Sequence, residues 1–494
     1  MMKKKILLFL FLTLFLQPFY ATDSPKKEIR AVWLTTIYGI DWPKKPATNE
    51  ASRKAQQQDL RAKLDKLKEA NFNMVFLQVR LRGDVIYPSA IEPMNRIFSG
   101  KFDVSPGYDP LAFAIEECHK RGMECHAWFV TYPLGLERNV SSRGNKTVVK
   151  RKPQLCKLHN GEWHLDPGMP ETTDYLLLLV KELVGKYDID GIHFDYIRYP
   201  EGAGTFPDRS TYAKYGASKD LDAWRRDNIN QAMTRIYDEV KRMKPWVQVS
   251  SSPLGKYNRI PQVPNAGWTA YGDVHQDPQL WMKQGKQDMI VPMMYYKDNL
   301  FYPFLDNWLA NSNGRFVVPG LGAYRMTEAK SNWSSTDLTE QIDYMRKTKA
   351  VGCAFFRATE VLNNTKGLYD ILKNRYFKYP AQLPPLTWLS NERPAGPQVV
   401  NIKRKGDELV LSWEKPEGED QPLTYTIYYS KSGSTNINRA RSILATGVSE
   451  TTIYLAVDPG KEQEFTFRVS ASNRYRIESK PSRETYYYWT QYPK

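Results

Sequence analysis

Eight short apolar runs, most of them followed by a stretch of helical period, fill the first three quarters of the chain. The runs are Arg30–Thr35, Met74–Val79, Glu124–Val130, Gly191–Tyr196, Val247–Ser252, Met289–Met294, Phe316–Pro319 and Gly352–Phe356. Strands that are apolar along their whole length suit a parallel sheet covered on both faces, because neither face meets water. The helical segments include Lys54–Ala70, Pro110–Arg121, Glu171–Lys186, Leu221–Lys244, Pro278–Gln284 and Leu338–Lys349. Eight such units in about 350 residues predict an α/β fold, a (β/α)8 TIM-type barrel over residues 28–380. A doubly wound open sheet is the alternative and accommodates eight units less readily.

The flanks differ in character. Residues 381–395 are Pro-rich and read as a semi-rigid linker that few contacts should cross. Residues 396–490 carry short alternating strands (LVLSW, TYTIYYS, TTIYL, FTFRVSAS) separated by turn signals, the pattern of an all-β sandwich. At the other end, Lys3–Lys5 precede an apolar run that closes near Ala21. A basic start, a short apolar core and a small residue read as a signal peptide over residues 1–21. The run is shorter than the ~20 residues that a bilayer needs. The expectation is a periplasmic or extracellular protein with no integral membrane span.

Export argues against nucleic acid as a partner. The formal charge of +16, or +13 without Lys3–Lys5, fits either an anionic glycan or envelope surface, or basic residues scattered for solubility. Cys118, Cys125, Cys156 and Cys353 show neither metal-finger nor redox spacing, so buried thiols are expected, with one disulfide as the alternative. No phosphate-binding loop, dinucleotide fingerprint or zinc-hydrolase motif occurs, and no cofactor is expected.

The segment YDIDGIHFDYIRYP, residues 187–200, carries the most chemistry. It runs from a helix end through a turn into the fourth strand, where Gly191 permits close packing. Alternate strand residues face into a barrel, and the C-terminal strand ends line its active site. Asp195 therefore stands at the mouth, with Tyr196 and Arg198 in the loop above. A carboxylate there suits stabilisation of an oxocarbenium-like transition state. A cap of the next turn is the less favoured alternative for Asp195, while His193 and Arg198 divide evenly between a role at the site and plain structure. Other strand ends offer Thr35, Tyr38 and Asp41; Arg80, Arg82 and Asp84; His126 and Trp128; Tyr295 and Tyr296; Arg357 and Glu360. Aromatics at such mouths stack on the apolar C–H faces of sugars.

Three blocks, NMVFLQVRLRGDVIYPSAIEP, YDPLAFAIEECHKRGMECHAWFVTYPL and HLDPGMPETTDYLLLLVKELVGKYDIDGIHFDYIRYP, followed by YGDVHQDPQLWMKQGKQDMIVPMMYY, resemble the bacterial glycosyl-hydrolase-like family 10 domain. The resemblance covers about residues 28–375. It implies a barrel glycoside hydrolase, or a relative of one, acting on envelope or polysaccharide glycans. By position, the family's polar mouth residues fall on Arg80, Asp84, His126, Trp128, Asp166, His193, Asp195, Asp277 and Tyr295. Many members carry two consecutive Asp at the fourth strand end, whereas Tyr196 stands second here. The C-terminal region resembles a fibronectin type III domain, through LVLSWEKP with Trp413, YTIYYS, and FTFRVSASN, with Phe465 in place of the usual corner Tyr.

These readings make Asp195 the first catalytic candidate, with Glu360, slightly preferred, or Asp84 as a second carboxylate. Arg80, His126, Trp128, Asp166, His193, Arg198, Asp277, Tyr295 and Tyr296 are the candidate sugar-binding residues, and no metal ligands are assigned. Two other functions compete: a catalytically silent glycan-binding barrel, and a metal-dependent carbohydrate hydrolase or deacetylase.

Overall fold

The computed structural model describes residues 24–490 apart from residue 217 and residues 419–421. The expected signal peptide lies outside the described residues. The eight predicted apolar runs correspond to parallel strands β1 (Ile29–Leu34), β2 (Met74–Arg80), β3 (Glu124–Val130), β4 (Gly191–Asp195), β5 (Gln248–Ser252), β6 (Met289–Ile290), β7 (Phe316–Val317) and β9 (Gly352–Phe355), and a ninth strand, β8 (Gly320–Leu321), follows just past the seventh run. They make one nine-stranded curled sheet in the order β7-β6-β5-β4-β3-β2-β1-β9-β8.

The two ends of that sheet are halves of one segment, interrupted at Val318-Pro319. Val318 N–H donates to Ile290 O at 2.9 Å, and Ala354 N–H donates to Pro319 O at 3.1 Å. Pro319 has no N–H to give a ladder, which accounts for the break. The sheet thus curls back on itself in a TIM-barrel-like arrangement. The first helix runs Glu50–Glu69, and others occupy Pro110–His119, Pro170–Lys186, Leu221–Met243, Pro278–Lys283 and Ser335–Arg346.

Strand alternation sorts the core into two shells. Val32, Val75, Leu77, Ile192 and Phe194 pack outward against the helices. Ile29, Ala31, Trp33, Met74, Phe76 and Trp128 fill the interior. Gly191 is needed there, because a Cβ would sit 2.3 Å from the His126 ring.

Two features depart from expectation. The stretch after β3 holds a small antiparallel sheet of Pro133–Leu136, Glu162–Leu165 and Cys156–His159. Its four-residue strands show no clean alternation, so periodicity does not reveal them. The Pro-rich segment 381–395 is also no free linker. Leu383, Leu386, Trp388 and Leu389 join the interior cluster at the N-terminal end of the sheet, and Trp388 Nε1 donates to Asp288 at 2.8 Å. The expectation of few crossing contacts is corrected. The open floor of the sheet exposes Ile29, Met289 and Phe316 unless something covers them, and this segment supplies the cover.

Beyond it lie a three-stranded sheet (Asn401–Lys405, Glu408–Ser412, Thr452–Ala456) and a four-stranded one (Ile443–Val448, Thr424–Ser430, Gln463–Ser472, Thr485–Trp489). Leu409, Leu411 and Trp413 from one sheet pack with Ile427, Phe467, Val469 and Trp489 from the other. This all-β unit is tied to the barrel floor. Gln382 donates to Thr426, Tyr428 and Glu478, and Arg476 pairs with Glu124. All four cysteines are free and buried. Among the described residues no helix is long and apolar enough to cross a membrane.

Candidate active site

A cavity of about 250 Å³ opens at the C-terminal end of the sheet. Asp195, the last residue of β4, lines it, and among the described lining residues it is the only carboxylate. The register of β4 and β5 sets Ser252 directly beside it. Ser252 Oγ donates to Asp195 Oδ1 at 3.0 Å, and the Tyr196 N–H donates to the same oxygen at 2.9 Å. Trp128 Nε1 donates to Oδ2 at 3.1 Å. Burial pushes this carboxyl above its ordinary value, while the Ser252 hydroxyl, the nearby Arg198 guanidinium and the Trp128 indole pull the other way. Asp195 is thus a buried carboxyl with a raised proton affinity, facing an open cavity.

Aromatic rings line the same cavity. Phe356 stacks on Tyr295 with ring centroids 5.5 Å apart, and Tyr324 meets Phe356 edge-on at 5.6 Å. Trp33 and Trp128 reach the same phenyl ring edge-on from within the barrel. Two guanidinium groups complete the lining. Arg82 pairs with Glu162 at 2.6 Å, and Arg357 pairs with Glu360 at 3.1 Å. Planar apolar faces, donors and one acid are the groups that hold a pyranose and act on its glycosidic oxygen.

Of the residues chosen from sequence, Asp195, Trp128 and Tyr295 meet in this cavity. His193 lies just beneath it. Trp33 Nε1 donates to its Nε2 at 3.1 Å, so the proton sits on Nδ1, 2.9 Å from Ser250 Oγ. Burial holds His193 well below its ordinary value, with His126 adding to the effect, so the imidazole is neutral and steadies the Trp33 ring. Arg198 lies under the Tyr196 ring, 4.8 Å from its centroid, and pairs with Glu201.

The remaining candidates are placed elsewhere. Glu360 does not line the cavity; it pairs with Arg357, which does. Asp84 is buried between Asn95 and Arg143. Arg80 is fully buried and holds Glu92 through two nitrogens. His126 sits at the floor side against Glu124. Asp166 accepts from Thr211 and the Gly168 N–H. Asp277 caps the helix Pro278–Lys283. Tyr296 packs on Gly255, where a Cβ would meet its hydroxyl. A strand-end position alone cannot separate these from Asp195, since the loop path after the strand decides where a side chain turns. His126 has Glu124 as its partner, and His193 has Trp33 and Ser250. Among the described residues no three His, Cys, Asp or Glu side chains are grouped to hold a metal.

Trp33, Ser252 and Phe356 line the site but are not among the sequence candidates, and Arg82 and Arg357, noted only as strand-end residues, line it too. Ser252, Phe356, Arg82 and Arg357 lie at or just past the C-terminal end of a predicted strand, whereas Trp33 sits within its strand, where only inward alternation could mark it.

The model of the glycosyl hydrolase-like 10 family matches residues 28–312. Glycosyl hydrolase YngK of Bacillus subtilis is 31% identical over 95% of this chain and 95% of its own length. Glycosyl hydrolase DigH of Escherichia coli K12 is 33% identical over 66% of this chain and 82% of its own. Among solved structures, the PgaB (BpsB) glycoside hydrolase domain from Bordetella bronchiseptica aligns with 71% of this chain and 99% of its own, at 14% identity and a TM-score of 0.49. The chain belongs to the glycosyl hydrolase-like 10 family.

Proposed function

We propose that the protein is an exported hydrolase that cleaves glycosidic bonds in a bacterial envelope glycan or another polysaccharide, with Asp195 as its general acid. The observation that carries this reading is the buried Asp195 carboxyl, the one carboxylate in the lining of an aromatic-walled cavity. Oδ1 already accepts two donors, so the proton to be transferred rides on Oδ2. It passes to the glycosidic oxygen as the C–O bond breaks, and the bonding electrons leave with that oxygen. The ring is left as an oxocarbenium-like species to which water adds. A base for that water has to come from just outside the lining. Glu162 and Glu360 are placed there, each held by an arginine that does line the cavity. Arg82 and Arg357 also favour sugars that carry negative charge.

Export rests on Lys3–Lys5 and the apolar run that follows. The C-terminal unit reads as a fibronectin type III-like module, on its three-plus-four strands and the Trp413–Tyr425 ring pair at 5.3 Å.

The lack of a second lining carboxylate favours one competing reading, a barrel that binds glycan without cleaving it. Release of new reducing ends from a panel of purified cell-wall glycans and neutral and acidic polysaccharides separates the two. Binding without release from any of them would leave the silent barrel standing. Loss of activity on chelation would point to the metal-dependent reading instead.

A further inference from the structure

Resting on that reading, we infer that Tyr38 is a stacking platform for the sugar that lies next beyond the cavity, so that the binding site extends over the rim at the end of β1. Tyr38 is the most exposed large hydrophobic side chain among the described residues, at 74%. Among those residues its side chain makes no hydrogen bond or ring contact. Its neighbours Ile37 and Ile40 both line the cavity.

The loop that carries it is firmly held. Buried Gln78 accepts from Thr35 Oγ1, Thr36 N–H and Ile37 N–H at 2.7, 3.0 and 2.9 Å. Buried Asp41 accepts from the Thr35 N–H at 2.7 Å and from the Thr359 N–H at 2.9 Å. At the tip of this braced loop Tyr38 adopts φ 55°, ψ 13°, the left-handed region that disfavours a bulky residue. Most other non-glycine residues with positive φ are the Asn, Asp and His that tolerate it. The two tyrosines among them are Tyr38 and Tyr196; Tyr196 lines this cavity, and Tyr38 lies in the chain between its lining residues Ile37 and Ile40. Strain kept at a site, in a loop that the surroundings over-determine, marks a residue held for function.

The ligand class follows from the ring and from the neighbouring space. The cavity, about 250 Å³, is smaller than the ~300–1,000 Å³ of ordinary small-molecule sites, so a polymer has to continue outside it. An exposed phenol ring on a rigid loop offers the flat apolar surface that a pyranose C–H face covers, at little cost in side-chain order.

Affinity measured on full-length Asp195→Asn, which holds glycan without turnover, tests this. The probes are oligosaccharides cut from purified cell-wall glycan, in a ladder from two sugars upward. Adding Tyr38→Gly or Tyr38→Ala should lower affinity about tenfold for the longest chains and leave the shortest bound chain unchanged, whereas Tyr38→Phe should match the parent. Tyr38→Gly should melt no lower than the parent, because glycine takes this φ freely. Losses that are equal at every chain length, or absent, would overturn the Tyr38 assignment alone. A parent that binds no glycan of any length would overturn the functional reading, and this assignment with it.

Discussion

Leu386→Ala should loosen the segment that closes the floor of the barrel, although its Pro-rich surroundings look like a linker. Leu386 is 1% exposed and packs in the interior cluster with Ile29, Met74, Met289 and Phe316. Truncating a buried Leu costs about 2–5 kcal/mol, depending on how far the site collapses. The strand side of this site cannot move, but the segment itself can, which favours the lower half, about 2–3 kcal/mol. Trp388→Ala should cost more, about 3–5 kcal/mol. It removes the edge contact with Phe316 at 4.7 Å and the donor to Asp288 at 2.8 Å. Arg393→Ala, on the exposed part of the same segment, serves as the control and should stay within about 0.5 kcal/mol. Thermal unfolding, with limited proteolysis across residues 381–395, reads all three. A chain ending at Pro384 should be poorly soluble for the same reason. Leu386→Ala and Arg393→Ala unfolding alike, with no new cleavage near residue 386, would refute the docked segment.

Two further outcomes follow from individual side chains and one from the N-terminal segment. Burial alone would lower His119, but the Asp190 carboxylate 2.8 Å away outweighs it and raises His119 to about 9 from 6.5. The stability this pair contributes is therefore full below about pH 6.5 and fades as pH rises through about 9, and a His119→Gln chain whose urea midpoint still falls across that window would contradict it. Trp128→Phe removes the donor to Asp195 Oδ2, so the basic limb of the activity profile of the folded protein should move to higher pH, while the lost buried ring volume lowers the melting temperature; an unmoved limb would deny the Trp128 contact any role. The native protein should begin shortly after Ala21 and lie outside the cytoplasm, and N-terminal sequencing that finds Met1 intact would refute export.

Much of the barrel is legible in the sequence, because a sheet buried on both faces imposes continuous apolar runs and its helices impose a second period. Glu124–Val130 and Leu221–Met243 match their expected bounds to within a residue for that reason. The antiparallel insert at residues 133–165 is not legible, since strands of four residues carry too little pattern. Nor is the docked segment, because prolines mark a break in regular structure and say nothing about burial. Asp195 could be placed from strand alternation alone. Its surroundings could not, since Ser252 and Trp128 reach it through the lateral register of neighbouring strands, and a single sequence does not carry that register. Arg80 and Asp84 show the converse: the same strand end sends them into buried ion pairs on the far side of the wall.

As general acid, Asp195 delivers a proton to the leaving oxygen. A dinitrophenyl glycoside of the accepted sugar tests it most directly, because that leaving group departs without protonation. Asp195→Asn should lower turnover of the glycan by about 10²–10⁴-fold, leave the dinitrophenyl glycoside cleaved at close to the parent rate, and melt within a degree or two of the parent. Equal losses on both substrates, or near-normal cleavage of the glycan, would contradict the role of Asp195 as general acid.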